Sequence, residues 1–235
     1  LKKTLNNSKN LAKFRRINMN KTLIIIHSRL AAERLPNKPL KMIKNKEMII
    51  HVYEAAIKSK SGEVIVATPD KEIAETIKKI GGRVELTNKN HLTGTDRVFE
   101  VFKNVLQQKS EVIINLQGDM PNIDPKVISN LVEYMKKKEC DIGTYASDFN
   151  SEEEKKDQNI VKVLVKNKIS EETFVGATDF LRDYNHLQNV YHHIGIYGFT
   201  NKSLLRYVNL KRSKLELERK LEQLRALENG MTVHV

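Results

Sequence analysis

A chain of 235 residues, 40% of them hydrophobic, is long enough to bury the core of one large α/β domain or two small ones. No apolar run approaches the roughly 18 residues that span a bilayer, and nothing near the N-terminus has the apolar centre of a signal peptide, so the sequence argues against membrane insertion and secretion. The single Cys140 cannot form an internal disulfide, which fits a reducing compartment, and a cytoplasmic protein is expected.

The net charge of +12 raises nucleic acid as a partner, but its distribution weakens that reading. Lys2, Lys3, Lys9, Lys13, Arg15 and Arg16 fall in a segment without an acid. Residues 1–18 are expected to be a disordered basic extension, with Met19 as a natural start, and residues 19–235 a single domain. TLIIIH predicts the first strand and EMIIHVYEAAIKSK a crossover helix with apolar residues at helical spacing. EVIVAT is the second strand, and KEIAETIKKI a helix stopped at Gly81-Gly82. RVELT is a third strand, followed by a helix through RVFEVFKNV. EVIINLQ is a fourth strand, and Pro125 opens a helix over KVISNLVEYMKKK.

After Asp141 the rhythm changes. IGTYASDF and NIVKVLVKN predict strands separated by a polar loop, SEEEKKDQ. HIGIYGFT predicts another strand, SLLRYVNL a short helix, and MTVHV a last strand. SKLELERKLEQLRALENG predicts one charged helix with an apolar stripe at Leu217, Leu221 and Leu224, closed by Gly230. The fold class is α/β: a Rossmann-like, mostly parallel sheet with an inserted antiparallel portion. Such an insertion commonly builds a dimer surface, so a homodimer is expected.

Four strand-end loops carry the polar residues. They hold Ser28, Arg29, Arg34 and Lys38; Thr68 and Asp70; Thr93, Gly94, Asp96 and Arg97; and Gln117, Gly118 and Asp119. In an α/β sheet they converge on one edge. Cations in the first loop suit phosphate oxygens, and Gly94 at a helix start lets backbone N–H groups approach an anion or a base. Asp119, at the end of an apolar strand, suits Mg²⁺, which takes one or two carboxylates and completes its shell with phosphate oxygens. The bland alternatives are a solvated charged loop, an Arg97–Glu100 pair along the helix, and His193 and Tyr197 as core residues. Neither a GxxxxGK[ST] nor a GxGxxG motif is present, so a phosphate site has to be built from Arg and Lys side chains.

Arg29 with Arg-Leu-Pro at 34–36 and Lys38-Pro39-Leu40, then VAT at 66–68, TGTDR at 93–97, NLQGDMP at 115–121, HIGIYGF at 193–199 and LEQLRALENG at 221–230 occur in order. In these segments the chain resembles the 3-deoxy-manno-octulosonate (KDO) cytidylyltransferase family. The resemblance implies attack of the anomeric hydroxyl of KDO on the α-phosphorus of CTP, giving CMP-KDO and pyrophosphate for lipopolysaccharide biosynthesis. It implies that Arg29 and Lys38 neutralise the triphosphate, that Asp119 holds Mg²⁺, and that Ser28, Thr93 and Gly94 contact the nucleotide. Arg97, Gln117, Arg182, His193, Tyr197 and Glu216 would line the sugar side, where a cation must meet the carboxylate.

The chain departs from the family's pattern in several places. His27 stands for a Pro, His192 for an Arg, and Arg219 for a Glu, while Ala-Thr-Asp-Phe-Leu-Arg at 177–182 stands for Ala-Leu-Tyr-Phe-Ser-Arg. The family continues past the strand matching MTVHV into a Gly-Val-Asp-Thr motif with a second metal ligand, so a fragment lacking that ligand is expected. Two other functions stay open: a cytidylyltransferase for another acidic sugar such as sialic acid, and a basic nucleic-acid-binding protein. Aromatics at 6%, without basic residues interleaved in the body, argue against the latter.

Overall fold

The first strand forms where the sequence concentrates β-branched residues. In the computed structural model, which describes residues 22–31, 35–105, 110–170, 173–183 and 188–235, β1 (Thr22–His27) has Leu23, Ile24, Ile25 and Ile26 fully buried. It pairs in parallel with β4 (Glu63–Thr68) on one side and β6 (Val112–Gln117) on the other, and β5 (Arg83–Leu86) extends the sheet beside β4. Continuous apolar strands belong to sheets covered on both faces. The helices α1 (Met48–Lys58), α2 (Lys71–Lys79) and α3 (Gly94–Val105) provide buried faces through Ile49 and Val52, Ile73 and Ile77, and Val98 and Val101. The register sets His27 beside both Ala67 and Gln117, so β1, β4 and β6 end level and present their loops on one edge.

Between β1 and α1 lies detail that periodicity did not reveal. A 3₁₀ turn over Lys38–Leu40 is followed by a ribbon of β2 (Met42–Ile43) and β3 (Lys46–Glu47). The connecting Lys44 and Asn45 have φ of 47° and 65°, the left-handed pair that a two-residue hairpin requires.

The chain divides into two units, one ending at Val132 and one beginning at Glu133, with the division inside α4 (Pro125–Lys137). In the second unit β7 (Ile142–Ser147) and β10 (Val190–Thr200) pair antiparallel. β8 (Lys162–Val165) joins β10, β9 (Ala177–Leu181) joins β8, both antiparallel, and β11 (Val233–His234) lies parallel to β7. The register of β10 slips between Ile194 and Tyr197. Thr144 Oγ1 lies 3.2 and 2.7 Å from the carbonyl oxygens of Ile194 and Ile196, supplying a donor where the bulge interrupts the ladder.

Two sequence expectations are corrected. The SEEEKKDQ loop contains α5 (Glu152–Lys156), capped by Ser151 Oγ accepting from the Glu154 N–H at 3.2 Å. Acids in its first turn and lysines in its last suit the helix dipole, and the lack of an apolar face hid it. The charged C-terminal helix, expected to be continuous, is α7 (Lys214–Arg219) and α8 (Leu224–Glu228). Lys220 takes φ 55° and the Leu221 N–H closes on the Glu216 carbonyl at 3.2 Å, ending the first helix as a glycine would. Leu221 and Leu224 are buried, but Leu217 is 52% exposed, because the neighbouring Glu216 takes the inward place. α6 (Asn201–Val208) forms as expected, with a Thr200–Ser203 capping box. The expected extension over residues 1–18, Met19 and Arg34 lie outside the described residues.

Candidate active site

The loops at the carboxyl ends of β1 and β6 and the segment leading into α3 enclose a cleft of about 1030 Å³ within the first unit. That is at the upper end of the ~300–1,000 Å³ usual for small-molecule sites. Ser28, Arg29, Lys38, Thr93, Gly94, Arg97, Gln117 and Asp119 all line it.

The first loop is held from below. The Ser28 N–H donates to the Ala67 carbonyl at 3.0 Å, and the Leu30 N–H donates to Asp70 Oδ2 at 2.7 Å. Asp70 is itself set by its N–H on Thr68 Oγ1 at 3.2 Å. These ties use the residues after β4 to shape the loop after β1, leaving Arg29 exposed on the cleft wall. Lys38 Nζ donates to Asp119 Oδ2 at 2.7 Å, so the cation of the first loop meets the acid that follows β6.

The start of α3 is fixed just as closely. Thr93 Oγ1 accepts from the Asp96 N–H at 3.2 Å while Asp96 Oδ2 accepts from the Thr93 N–H at 3.1 Å, a reciprocal cap. Asn115 Nδ2, fully buried on β6, donates to Thr95 Oγ1 at 3.0 Å. Gly94 rests on His27: a Cβ there would sit 2.6 Å from the imidazole. Gly118 is equally constrained, its absent Cβ falling 2.8 Å from Ser28 Cβ. Both glycines are demanded by close approach, and both place backbone on the cleft wall.

Arg97 is 3% exposed, and its guanidinium donates to Thr87 Oγ1 and, at 2.9 Å, to the Asn88 carbonyl. Burial, and then the nearby Arg29 charge, weaken its hold on its proton. The simple Arg97–Glu100 helical pair is replaced by a different arrangement, in which Glu100 Oε2 accepts the Asn88 N–H at 3.0 Å and also binds His91 Nε2. The two side chains thus grip the Asn88 residue by its carbonyl and its N–H. Burial pushes the His27 imidazole down to about 4; the Asp119 charge opposes the fall and the charges of Arg97 and Arg29 add to it. His27 is therefore neutral near pH 7.

The Ser28 hydroxyl is buried in a residue that lines the cleft and, among the described residues, has no hydrogen-bond partner. Among the described residues no three His, Cys, Asp or Glu side chains converge to hold a metal ion. Asp119 is the one carboxylate among the described residues that line the cleft, which it shares with Arg29 and Lys38; a single carboxylate can hold Mg²⁺ when other oxygen donors complete the shell.

The sequence pattern of the cytidylyltransferase family matches residues 23–233. The 3-deoxy-manno-octulosonate cytidylyltransferase of Thermodesulfovibrio yellowstonii is 39% identical, covering 91% of this chain and 89% of that protein. The protein of the same name from Rhodopseudomonas palustris is 41% identical, covering 91% and 88%. This chain belongs to the 3-deoxy-manno-octulosonate cytidylyltransferase family. A solved structure of CMP:2-keto-3-deoxy-manno-octonic acid synthetase complexed with CTP superposes on it with a TM-score of 0.79 at 33% identity, covering 91% of this chain and 88% of that one. A cytidylyltransferase from Leptospira borgpetersenii, 19% identical with a TM-score of 0.59, shares the fold; the match covers 91% of this chain and 74% of that one.

In this family member the remaining site candidates belong to the second unit. His193 is 6% exposed on β10, and its Nε2 lies 2.9 Å from Thr144 Oγ1. Since the Thr144 hydroxyl has one proton and faces carbonyl oxygens, His193 Nε2 carries the hydrogen and donates. Tyr197 is buried beside it, ring centroids 5.5 Å apart. The Arg182 guanidinium donates to the Gln158 carbonyl at 3.1 Å. Glu216 is fully buried: its carboxylate accepts from Arg225 Nε and Nη2 at 2.9 and 2.7 Å, from Arg212 Nε at 2.8 Å and from the Ser213 N–H at 3.2 Å. The unusual residues find partners of their own. Arg219 Nη1 lies 2.7 Å from Asp179 Oδ1, joining two positions that depart from the family's pattern, and His192 Nδ1 lies 2.7 Å from Glu154 Oε1. His91, which nothing in the sequence singles out beyond its place two residues before the Thr-Gly motif, joins the cleft residues, and Glu100 holds it from behind.

Proposed function

We propose that the chain is a cytidylyltransferase that activates KDO with CTP, forming CMP-KDO and pyrophosphate in lipopolysaccharide biosynthesis. The observation that carries this reading is the cleft lined by Arg29, Lys38, Asp119 and the buried Ser28, in a fold shared with a synthetase solved with CTP. The anomeric oxygen of the sugar forms the new O–P bond as its hydroxyl proton passes to solvent, and the bond between the α-phosphorus and the bridging oxygen of pyrophosphate breaks.

Charge builds on the departing pyrophosphate, and Arg29 and Lys38 supply fixed positive charge against it. Ser28 and the backbone beside Gly118 and Gly94 face the nucleoside, and Thr93, held by its reciprocal cap with Asp96, lines the same wall. Asp119 would hold Mg²⁺, which when bound supplies Lewis-acid polarisation of the phosphate. Arg97 and Gln117 line the same cleft, which supports a place near the acceptor sugar. For Arg182, His193, Tyr197 and Glu216 the sugar assignment rests on the resemblance. The partnerships of Glu216 favour a supporting role for that residue. A homodimer in the cytoplasm is proposed on the antiparallel strands and the substrates, and sedimentation of the purified chain checks the dimer.

The test is pyrophosphate release with CTP, UTP or ATP against KDO, sialic acid and no sugar. Release with CTP and KDO alone is expected. Release with sialic acid in place of KDO would move the sugar assignment, and no release with any pair would overturn the reading.

A further inference from the structure

We propose that His91 is a nucleoside-contacting residue, oriented by Glu100, whose Nδ1 accepts a hydrogen bond from an O–H or N–H donor of the nucleotide. The inference rests on the cytidylyltransferase reading and adds to it a residue that the family resemblance did not assign.

The segment Thr87–Thr93 has no helix or strand, and Leu92 is 76% exposed, so apolar burial of that side chain does not hold it in place. Polar ties to one helix do so instead. Asp96 binds the Thr93 N–H and hydroxyl, Arg97 binds Thr87 Oγ1 and the Asn88 carbonyl, and Glu100 binds the Asn88 N–H and His91 Nε2. The contact to His91 does something more specific, because a carboxylate only accepts, so Nε2 must carry the hydrogen. In the neutral ring Nδ1 is then a lone pair, and among the described residues it has no hydrogen-bond partner. The ring is about one-fifth exposed and lines the cleft with Arg29, Gly94 and Asp119.

A lone pair fixed at a cleft wall suits a donor. For the neutral ring a phosphate oxygen would meet it lone pair to lone pair, whereas a ribose hydroxyl or the exocyclic amine of cytosine would not; a protonated ring would donate to phosphate instead and give an equal loss for every nucleotide. These two sources share one chemistry, and nucleotide analogues separate them.

The experiment measures calorimetric affinity of the full chain, without sugar, for CTP, 2′-deoxy-CTP, 3′-deoxy-CTP and UTP, in wild type and His91→Phe. His91→Phe is expected to weaken CTP binding about tenfold, the loss of one buried hydrogen bond, with an unchanged melting temperature. If a ribose hydroxyl is the partner, one deoxy analogue binds the wild type about tenfold more weakly and the variant no longer distinguishes it from CTP. If the cytosine amine is the partner, the variant loses its preference for CTP over UTP. Glu100→Gln is expected to show the same pattern more weakly, as a positioning residue. Should the variant fail to fold, nitrogen NMR of histidine-labelled wild type decides, since the His91 Nδ1 resonance must shift on adding CTP. Unchanged affinity, an equal loss for all four nucleotides with selectivity preserved, or a static Nδ1 resonance would overturn the inference. A wild type that does not bind CTP at all would instead overturn the cytidylyltransferase reading.

Discussion

Lys38 and Asp119 stand 81 positions apart in the chain, and their side chains meet at 2.7 Å on the wall of the cleft. One comes from the loop after β1 and the other from the turn after β6, neighbouring parallel strands that end level. In the proposed reaction the two separate their duties, the ammonium toward phosphate and the carboxylate toward Mg²⁺.

Asp119→Asn is expected to abolish turnover, and Lys38→Ala to slow it by a factor of about a hundred or more, since each removes a charge aimed at the reacting phosphates. Both side chains are more than a third exposed or close to it, so their pair contributes under about 1 kcal/mol to folding. Steady-state pyrophosphate release and a melting curve on the same samples check this, and normal turnover in Asp119→Asn would remove that residue from the site.

Gly94 lies against His27, and a methyl group there would overlap the imidazole at 2.6 Å. Gly94→Ala is therefore expected to destabilise the chain by about 1–3 kcal/mol, the usual cost of overpacking. Adding His27→Ala to that variant should recover part of the loss by making room. Urea denaturation of the single and double variants measures the coupling, and strictly additive losses would mean that the two residues do not touch.

Glu216 and Arg225 form a pair in which both side chains are at most 3% exposed. Glu216→Ala removes the carboxylate that pairs with a buried guanidinium and is expected to cost about 3–5 kcal/mol. Burial alone would raise the Glu216 carboxyl, but the hydrogen bonds from Arg225 and Arg212 outweigh it and hold the group below the usual carboxylate range. Its stabilisation is thus complete above the unfolded carboxylate value and is lost as pH falls through the lower folded value. Denaturation from pH 7 to 3 should show that loss in the wild type and not in Glu216→Ala.

His193 acts at a different pH. Burial, with a smaller contribution from the His192 charge, pushes its imidazole down to about 3, so the native state excludes a proton that the unfolded chain takes up below about 6.5. Stability is therefore full above about pH 6.5 and falls on acidification toward the folded value, by about 2 kcal/mol from this group at pH 5. His193→Gln, which keeps a donor for Thr144, should flatten the stability profile between pH 7 and 5. An identical slope in wild type and variant would show that His193 does not carry it.

The sequence by itself determined the parallel strands and the edge on which the chemistry gathers. LIII and VIVA read as strands buried on both faces, Arg29 and Asp119 each stand just beyond a strand, and Gly94 opens a helix, so local order alone puts them at the ends of elements. It also determined the family, because TGTDR, NLQGDMP and HIGIYGF are contiguous motifs readable without knowing which residues touch. Tertiary structure decided the partnerships. Glu216 reads locally as a solvated residue on a charged helix; only the break at Lys220 brings Arg225 around to it, nine positions away, and makes it core. Arg97 reads as free to pair with Glu100, and becomes instead one of two hands holding Asn88 because β5 delivers that loop over the start of α3. The physical reason is range: propensity and periodicity act over a few neighbouring residues, whereas a buried charge or a cleft-facing imidazole is satisfied by whatever group the folded chain brings to it.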